Sequence, residues 1–341
     1  MASVTPITET TRCALVYNPQ AGQLRRGLKL ARLPRFSRSD REAPSVTAQR
    51  LVREVSPEVA VCVASDRAAA ESFVGEAAQR RVPWLIIAGG DGTLFTVMNT
   101  LYRSLPTHRW PVLSVLPTGT TNFLAFLLGQ PKQTIDGELF SRLPEVDRLP
   151  RFSVRLLQVG SYISLLCGAG LISRLSQAYV ERPSHILDPY TWGVLNALAI
   201  GTGIWYPQWL HEAQPLDVSD SDGRSLRLPH GVPPAGLLCS AEERVVELWR
   251  PYVGDDRSDG VHALMVAKGL GSALRETVAA RLRWNLRRRW AVARTRPRMQ
   301  MKRGTWLMLD GEFVNAGPAA RLTPGPVVEL ADLSSLSDRS G

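Results

Sequence analysis

Residues 84–93 read Trp84-Leu85-Ile86-Ile87-Ala88-Gly89-Gly90-Asp91-Gly92-Thr93. An uncharged, mostly branched run ends abruptly in three glycines around one acid. The run has strand length, too short for a buried helix, and its glycine punctuation argues for a buried strand. Helical spacing takes over from about Thr93 and lasts to Tyr102. The stretch therefore predicts strand, tight turn, helix. Glycines let the backbone approach a bound phosphate closely. The first turn of the following helix offers free N–H groups and the positive end of a dipole. Asp91 adds a carboxylate where a phosphate-bound Mg2+ would sit, since Mg2+ takes few carboxylates and completes its shell with phosphate oxygens.

The same theme repeats on both sides. Ala14–Tyr17 is a short apolar run closed by Asn18-Pro19. The Arg/Pro-rich stretch to Pro44 reads as a loop or insertion, and Ser45–Val55 as a helix with Ser45 as a possible cap. Val59–Ala64 is a β-rich run before an alanine-rich helix to about Arg80. Val112–Leu116 is another strand, followed by Pro117-Thr118-Gly119-Thr120-Thr121-Asn122 and a helix to about Leu128. Strands alternating with helices predict an α/β fold, a Rossmann-like parallel sheet covered on both faces. Ligands of such sheets sit beyond the carboxyl ends of the strands. Three loops fall there: Asn18-Pro19-Gln20-Ala21-Gly22, Gly89–Thr93 and Thr118–Asn122. Their polar and glycine positions (Asn18, Pro19, Gly22, Gly89, Gly90, Asp91, Gly92, Thr93, Thr118, Gly119, Thr120 and Asn122) are the candidate nucleotide-binding residues.

After about Leu143 the texture changes. Val154–Val159, Tyr162–Leu166, Gly236–Cys239, Arg244–Trp249 and His262–Ala267 are strand-like and separated by turn residues. They predict a mostly β, sandwich-like second domain. Two helical interruptions are expected, Pro189–Ile200 and Ser272 to about Trp290. The expected division is a nucleotide-binding domain over 10–143 and a β-rich domain over 144–324, with the tail 325–341 packing back on the first.

Composition narrows the function classes. The chain has 341 residues, the length of two ordinary domains, and its 44% hydrophobic content excludes a disordered protein. Cys13, Cys62, Cys167 and Cys239 are far apart and form no C-x-x-C pair, which argues against a zinc site or a disulfide framework. No charged and apolar leader opens the chain, so a cytoplasmic location is expected. Thr191–Leu210 is uncharged, but Gly193, Gly201, Gly203, Asn196, Gln208 and Pro207 dilute it, and a buried helix running into a strand is expected rather than a membrane span. The formal net charge is +10, and Arg281–Arg303 alone holds ten Lys/Arg and no acid. A second basic stretch, Arg25–Arg41, contains one acid, Asp40. This bias suggests an anionic partner, whether nucleic acid, membrane or phosphorylated ligand.

An ordered set of motifs spans about residues 12–330. It comprises Asn18-Pro19 to Gly22, Gly89–Thr93, Pro117–Asn122, the glycine pair Gly168-Ala169-Gly170 after a strand, Asp259-Gly260 and Asp310-Gly311-Glu312. In this set the chain resembles the diacylglycerol kinase/sphingosine kinase superfamily of lipid kinases. The resemblance implies an α/β nucleotide domain and a β-sandwich domain binding a lipid substrate, with the active site between them. It implies ATP on the three loops and Mg2+ near Asp91. Asp310 would be the general base that takes the proton from a lipid hydroxyl as it attacks the γ-phosphate, with Glu312 assisting. For Asp310-Gly311 a plain β-turn is the alternative reading.

Departures from the family pattern are specific. Where members read Gly-Asn-Asp after Gly-Thr, this chain has Thr121, Asn122 and Phe123, and Phe126 stands where an Arg follows. A further family Asp aligns with Val154 or Arg155. Asp259 resembles a structural-metal aspartate of some members, although a turn residue is the simpler reading. Three candidate carboxylates remain: Asp91, Asp310 and Glu312. The alternatives are an NAD kinase-like enzyme, or a catalytically weak ATP- and lipid-binding regulatory protein, which the loss at Phe123 motivates. Trp284 and Trp290 interleave with the basic residues of 281–303, a pattern suited to an anionic membrane surface. No nucleic-acid-binding motif accompanies it. The expectation is a peripherally membrane-associated lipid kinase that does not bind nucleic acid.

Overall fold

The computed structural model describes residues 3–19, 21, 58–64, 66–117, 147–181, 215–242, 260–267, 291–296, 298–301, 306–315, 317 and 319–333. The chain divides into two compact units, Met1–Val154 with Val327–Gly341, and Arg155–Pro326.

The first unit contains β1 (Ser3–Val4), β2 (Cys13–Tyr17), β3 (Val59–Val63), α1 (Arg67–Gln79), β4 (Trp84–Gly89), α2 (Asp91–Ser104) and β5 (Val112–Pro117). The sheet order is β1-β3-β2-β4-β5. The last four strands are mutually parallel, and β1 pairs antiparallel at the edge. Every residue of β2, β3 and β4 is buried, the unbroken apolar pattern of parallel strands covered on both faces. α1 is capped by Asp66, whose carboxylate accepts from the Ala69 N–H at 2.9 Å. It buries Ala70, Phe73, Val74, Ala77 and Ala78, one stripe at helical spacing, and packs against α2. Both helices and all four parallel strands sit where the sequence pattern puts them. α2 starts earlier than expected, because Asp91 already has helical backbone and Gly90 serves as its N-cap. The stretch to Pro44, the helix Ser45–Val55 and the helix after Asn122 lie outside the described residues.

Two strands run from one unit into the other: β6 (Arg151–Val159), which starts in the first, and β16 (Ala320–Ala331), which ends there. Near the end of β16, Leu330 pairs in parallel with Leu113 of β5.

The second unit adds β7 (Tyr162–Ser164), β8 (Leu166–Gly170), α3 (Leu171–Glu181), β9 (Val218–Asp220), β10 (Gly236–Ser240), β11 (Val261–Val266), β12 (Ala291–Arg296), β13 (Met299–Met301), β14 (Trp306–Leu309) and β15 (Glu312–Asn315). One antiparallel sheet has the order β12-β11-β10-β8-β14-β15. In addition β6 pairs with β7 and β16, β16 with β13, and β13 with β9. The fold class is therefore the expected one: a parallel α/β sheet followed by a mostly β part.

Two details differ from the sequence reading. The run Tyr162–Leu166 is not one strand, because the chain turns at Leu165 between β7 and β8. Gly168 and Gly170 lie inside β8 rather than after a strand. They are glycines for packing: a Cβ at Gly168 would come within 2.8 Å of Ile172 and 2.9 Å of Met308, and one at Gly170 would meet the Ala235 carbonyl at 2.3 Å. Their bareness lets α3 lie on β8, β10 and β14. The C-terminal part of the basic segment is β-structure, with 291–296 in β12 and 299–301 in β13. Arg296 there pairs with Asp220 at 3.8 Å. The expected helices Pro189–Ile200 and Ser272–Trp290, the strand Arg244–Trp249 and the uncharged run Thr191–Leu210 lie outside the described residues. Among the described residues no helix is long and apolar enough to cross a membrane.

Candidate active site

In the first unit the register brings the motif loops side by side. Gly89, the last residue of β4, is paired with Pro117, the last of β5. On the other side of β4 the Asn18 N–H donates to the Ala88 carbonyl at 2.8 Å, so the chain leaving β2 is tied to the end of β4. Asn18 then reaches across with its side chain, and its Nδ2 donates to Thr93 Oγ1 at 2.8 Å. A Cβ on Gly89 would lie 2.6 Å from both Cβ and Oγ1 of Thr93. Glycine at 89 is thus required by close approach, since any side chain would push Thr93 away from Asn18. Gly90 caps α2 with extended backbone and without a side-chain hydrogen bond, and its carbonyl accepts from the Thr93 and Leu94 N–H groups. Asp91 is half-buried in the first turn of α2, where a carboxylate is favoured by the helix dipole and an incoming phosphate would find N–H groups.

Asp310 is built differently. Leu309 pairs with Glu312, so Asp310-Gly311 forms the two-residue connection of the β14–β15 hairpin. Both have positive φ, 50° at Asp310 and 90° at Gly311, the type I′ geometry that Asp-Gly favours. The turn reading is correct as geometry, and the carboxylate is nevertheless not a solvated turn group. Asp310 is 4% exposed. Its carboxylate accepts from the Leu165 N–H at 3.1 and 3.0 Å and from the Leu166 N–H at 2.8 Å. Its own N–H donates to the Leu166 carbonyl at 3.1 Å. The carboxylate is fixed in direction by backbone amides. Its charge, after burial, helps push the Cys167 thiol far above its ordinary value. Glu312 is half-buried at the start of β15.

Gly22, Thr118, Gly119, Thr120, Asn122, Phe123, Phe126, Asp259 and residues 281–290 lie outside the described residues. Sequence reasoning missed the donors that hold Asp310, because two are backbone amides of leucines and carry no compositional signal. It also missed Ser164, buried beside them. Among the described residues no group of three or more His, Cys, Asp or Glu could hold a metal ion. Asp91 alone fits Mg2+ only as one ligand beside phosphate oxygens and water.

Residues 12–143 match the diacylglycerol kinase catalytic domain. A diacylglycerol kinase of Bacillus subtilis (strain 168) is 29% identical over 180 residues, 51% of this chain and 50% of that one. The "Probable lipid kinase YegS-like" protein of Stenotrophomonas maltophilia (strain K279a) is 40% identical over 65 residues, 19% of this chain and 21% of that one. The matched stretch thus spans half or less of these curated relatives. A crystal structure of a diacylglycerol kinase from Bacillus anthracis str. Sterne superposes with a TM-score of 0.57 at 14% identity, over 94% of this chain and 96% of that one. Another structure from that organism gives a TM-score of 0.63 at 17% identity. These likenesses extend the shared fold over nearly the whole chain. Residues 12–143 are thus similar to diacylglycerol kinase catalytic domains, and the chain as a whole shares its two-unit fold with the solved structures.

Proposed function

We propose that the protein is an ATP-dependent lipid kinase acting on a hydroxyl of a membrane lipid of the diacylglycerol or sphingoid/ceramide type. The observation that carries this is the turn at Gly89–Thr93, where a glycine forced by close approach, an Asn18–Thr93 clamp and a helix N-terminus coincide within a diacylglycerol kinase catalytic domain. ATP phosphates would lie against the amides of this turn and the loops after β2 and β5. Asp91 would be the carboxylate ligand of Mg2+, which supplies neutralisation of the phosphate charge when bound. Asp310 takes the proton of the attacking hydroxyl as its oxygen bonds to the γ-phosphorus and the bond to ADP breaks. Amide anchoring suits that role, because it fixes the carboxylate in direction.

The basic stretch 281–303 is proposed to meet an anionic bilayer, at the cytoplasmic face. Arg296 is already engaged by Asp220, so the contact falls to the other cations. Trp306, 60% exposed, follows the stretch closely and suits an interfacial position.

The test is transfer of label from γ-labelled ATP to vesicles containing diacylglycerol, monoacylglycerol, sphingoid base or ceramide, with NAD as a further acceptor. Wild type should label one lipid class, and Asp310→Asn should not. Labelling of NAD alone would identify an NAD kinase-like enzyme. ATP binding without turnover on any acceptor would identify the regulatory protein instead.

A further inference from the structure

Ser164 ends β7 and is completely buried. A buried hydroxyl must be hydrogen-bonded, and this one bonds the N–H and the carbonyl of a single residue. Its Oγ donates to the Leu166 carbonyl at 2.7 Å and accepts from the Leu166 N–H at 3.1 Å. Asp310 uses the same two atoms: its carboxylate accepts from the Leu166 N–H at 2.8 Å, and its N–H donates to the Leu166 carbonyl at 3.1 Å. Ser164 and Asp310 therefore both hold the backbone of one residue, Leu166, each through its N–H and its carbonyl. The grip also orients the preceding amide, because the Leu165 N–H lies between Ser164 and Leu166 and points at both carboxylate oxygens.

We propose that Ser164 is a positioning residue for phosphoryl transfer: it shapes the Ser164-Leu165-Leu166 turn so that two backbone amides aim the Asp310 carboxylate. This rests on the reading of Asp310 as the proton acceptor. The reason for serine is local. The hydroxyl replaces the strand hydrogen bonds that the chain gives up where it turns from β7 into β8, and a Ser side chain is short enough to bond a peptide two residues on. Without it, Leu166 keeps its bonds to Asp310 but loses the partner that fixes its orientation. The amide pair and the carboxylate then shift together. A general base must be within hydrogen-bond reach of its proton, and small misplacements weaken transfer strongly.

The experiment compares wild type, Ser164→Ala, Ser164→Thr and Asp310→Asn in the full-length protein. Ser164→Cys is included as a second variant because it fills the space with a weakly hydrogen-bonding group, so an alanine variant that fails to fold does not remove the comparison. Two readouts are taken. The first is hydrogen exchange of the Leu165 and Leu166 amides by NMR on leucine-labelled protein. The second is kcat and KM on the lipid that wild type phosphorylates. The expected result is exchange at these two amides accelerated by roughly tenfold or more in Ser164→Ala or Ser164→Cys, and in Asp310→Asn. Alongside it, kcat should fall roughly tenfold at unchanged KM for ATP, with Ser164→Thr close to wild type. Amides as protected in the alanine and cysteine variants as in wild type would overturn the proposal. So would a rise in KM for ATP with kcat unchanged. Accelerated exchange in a protein that labels no acceptor would uphold the hold of Ser164 on the carboxylate and would sink the kinase reading by itself.

Discussion

The two acidic motif residues sit on turns of opposite construction. Asp91 follows glycines at the open end of a parallel sheet, half-buried, where the surrounding groups are N–H donors of a helix start. Asp310 is on a tight hairpin of an antiparallel sheet, 4% exposed, with its oxygens already accepting backbone hydrogen bonds. One turn presents its acid at a helix start, and the other encloses its acid among backbone donors. The difference teaches that the same residue pair, Asp-Gly, takes its meaning from what the neighbouring strands supply.

The largest expected effect separates the two acids. Asp310→Asn should lower kcat by about 10²–10⁴-fold, the usual worth of a positioned general base, and leave ATP affinity unchanged. Asp91→Asn should instead raise the Mg2+ concentration needed for half-maximal rate. Rate measurements over a Mg2+ titration, with ATP binding followed by calorimetry, check both. If the two variants behaved alike, the division of labour between the turns would be broken.

The next effect tests why each turn needs glycine. Gly89→Ala should destabilise the protein by about 1–3 kcal/mol, since its methyl would overlap Thr93, and should weaken ATP binding with it. Gly311→Ala meets open space and should cost only the left-handed backbone strain at φ 90°, about 1–2 kcal/mol. Thermal unfolding of the two variants, with ATP titration, separates them: both should lose stability, and only the change at 89 should lose nucleotide affinity. Thr93→Val, which removes the acceptor of Asn18, should be milder, about 0.5–1.5 kcal/mol.

Legibility follows the same contrast. The first unit was readable because buried parallel strands are continuous apolar runs. Trp84–Gly89 and its neighbours announce themselves without knowledge of their partners. The loop glycines were readable too, as punctuation. The second unit was readable as β but not in detail. The break at Leu165 leaves no glycine or proline in the chain, only Ser164. Gly168 and Gly170 read as a glycine pair after a strand, because a glycine required by a helix packed across the sheet looks the same in sequence as one that ends a strand. The acid at 310 was recognisable from its motif. Its burial and anchoring were not, because Leu165 and Leu166 contribute through their backbone.

Burial makes a further contrast between acid and thiol. Cys167 and Cys239 are cross-strand partners in β8 and β10, both fully enclosed, and desolvation drives both thiols far above the ordinary range. Cys62 is pushed up to about 11 by burial, with help from Asp66. Thiolate is the reactive form, so none of the three should react with a disulfide reagent in the native state near neutral pH. All should react after denaturation, and a thiol titration before and after denaturation reads this directly. Rapid native labelling of Cys167 would mean that the strand behind Asp310 opens, and would weaken the picture of a rigidly held carboxylate.

The smallest effect concerns a carboxylate held by cations instead of amides. Glu71 on α1 accepts from Arg67 at 2.9 Å and from Arg103 of α2 at 3.1 Å, tying the two helices together. These bonds, the Arg67 one first, hold its carboxyl below the usual carboxylate range. A folded-state pKa below the unfolded value of about 4.3 adds stability that is present above that pH and is lost as pH falls through the folded value. The pairs are half in solvent, so the contribution at neutral pH should be under about 1 kcal/mol and should shrink with added salt. Glu71→Gln is therefore expected to unfold at slightly lower denaturant concentration than wild type at pH 7, and at the same concentration once the pH is well below the carboxylate range. A gap that widened on acidification would require Glu71 to be stabilised as the neutral acid, and the arginines would then not be what holds it. For Asp310 the corresponding substitution should show a gap at pH 7 that resists salt, because amide donors inside the protein are not screened. That salt test puts amide anchoring and arginine pairing on one scale.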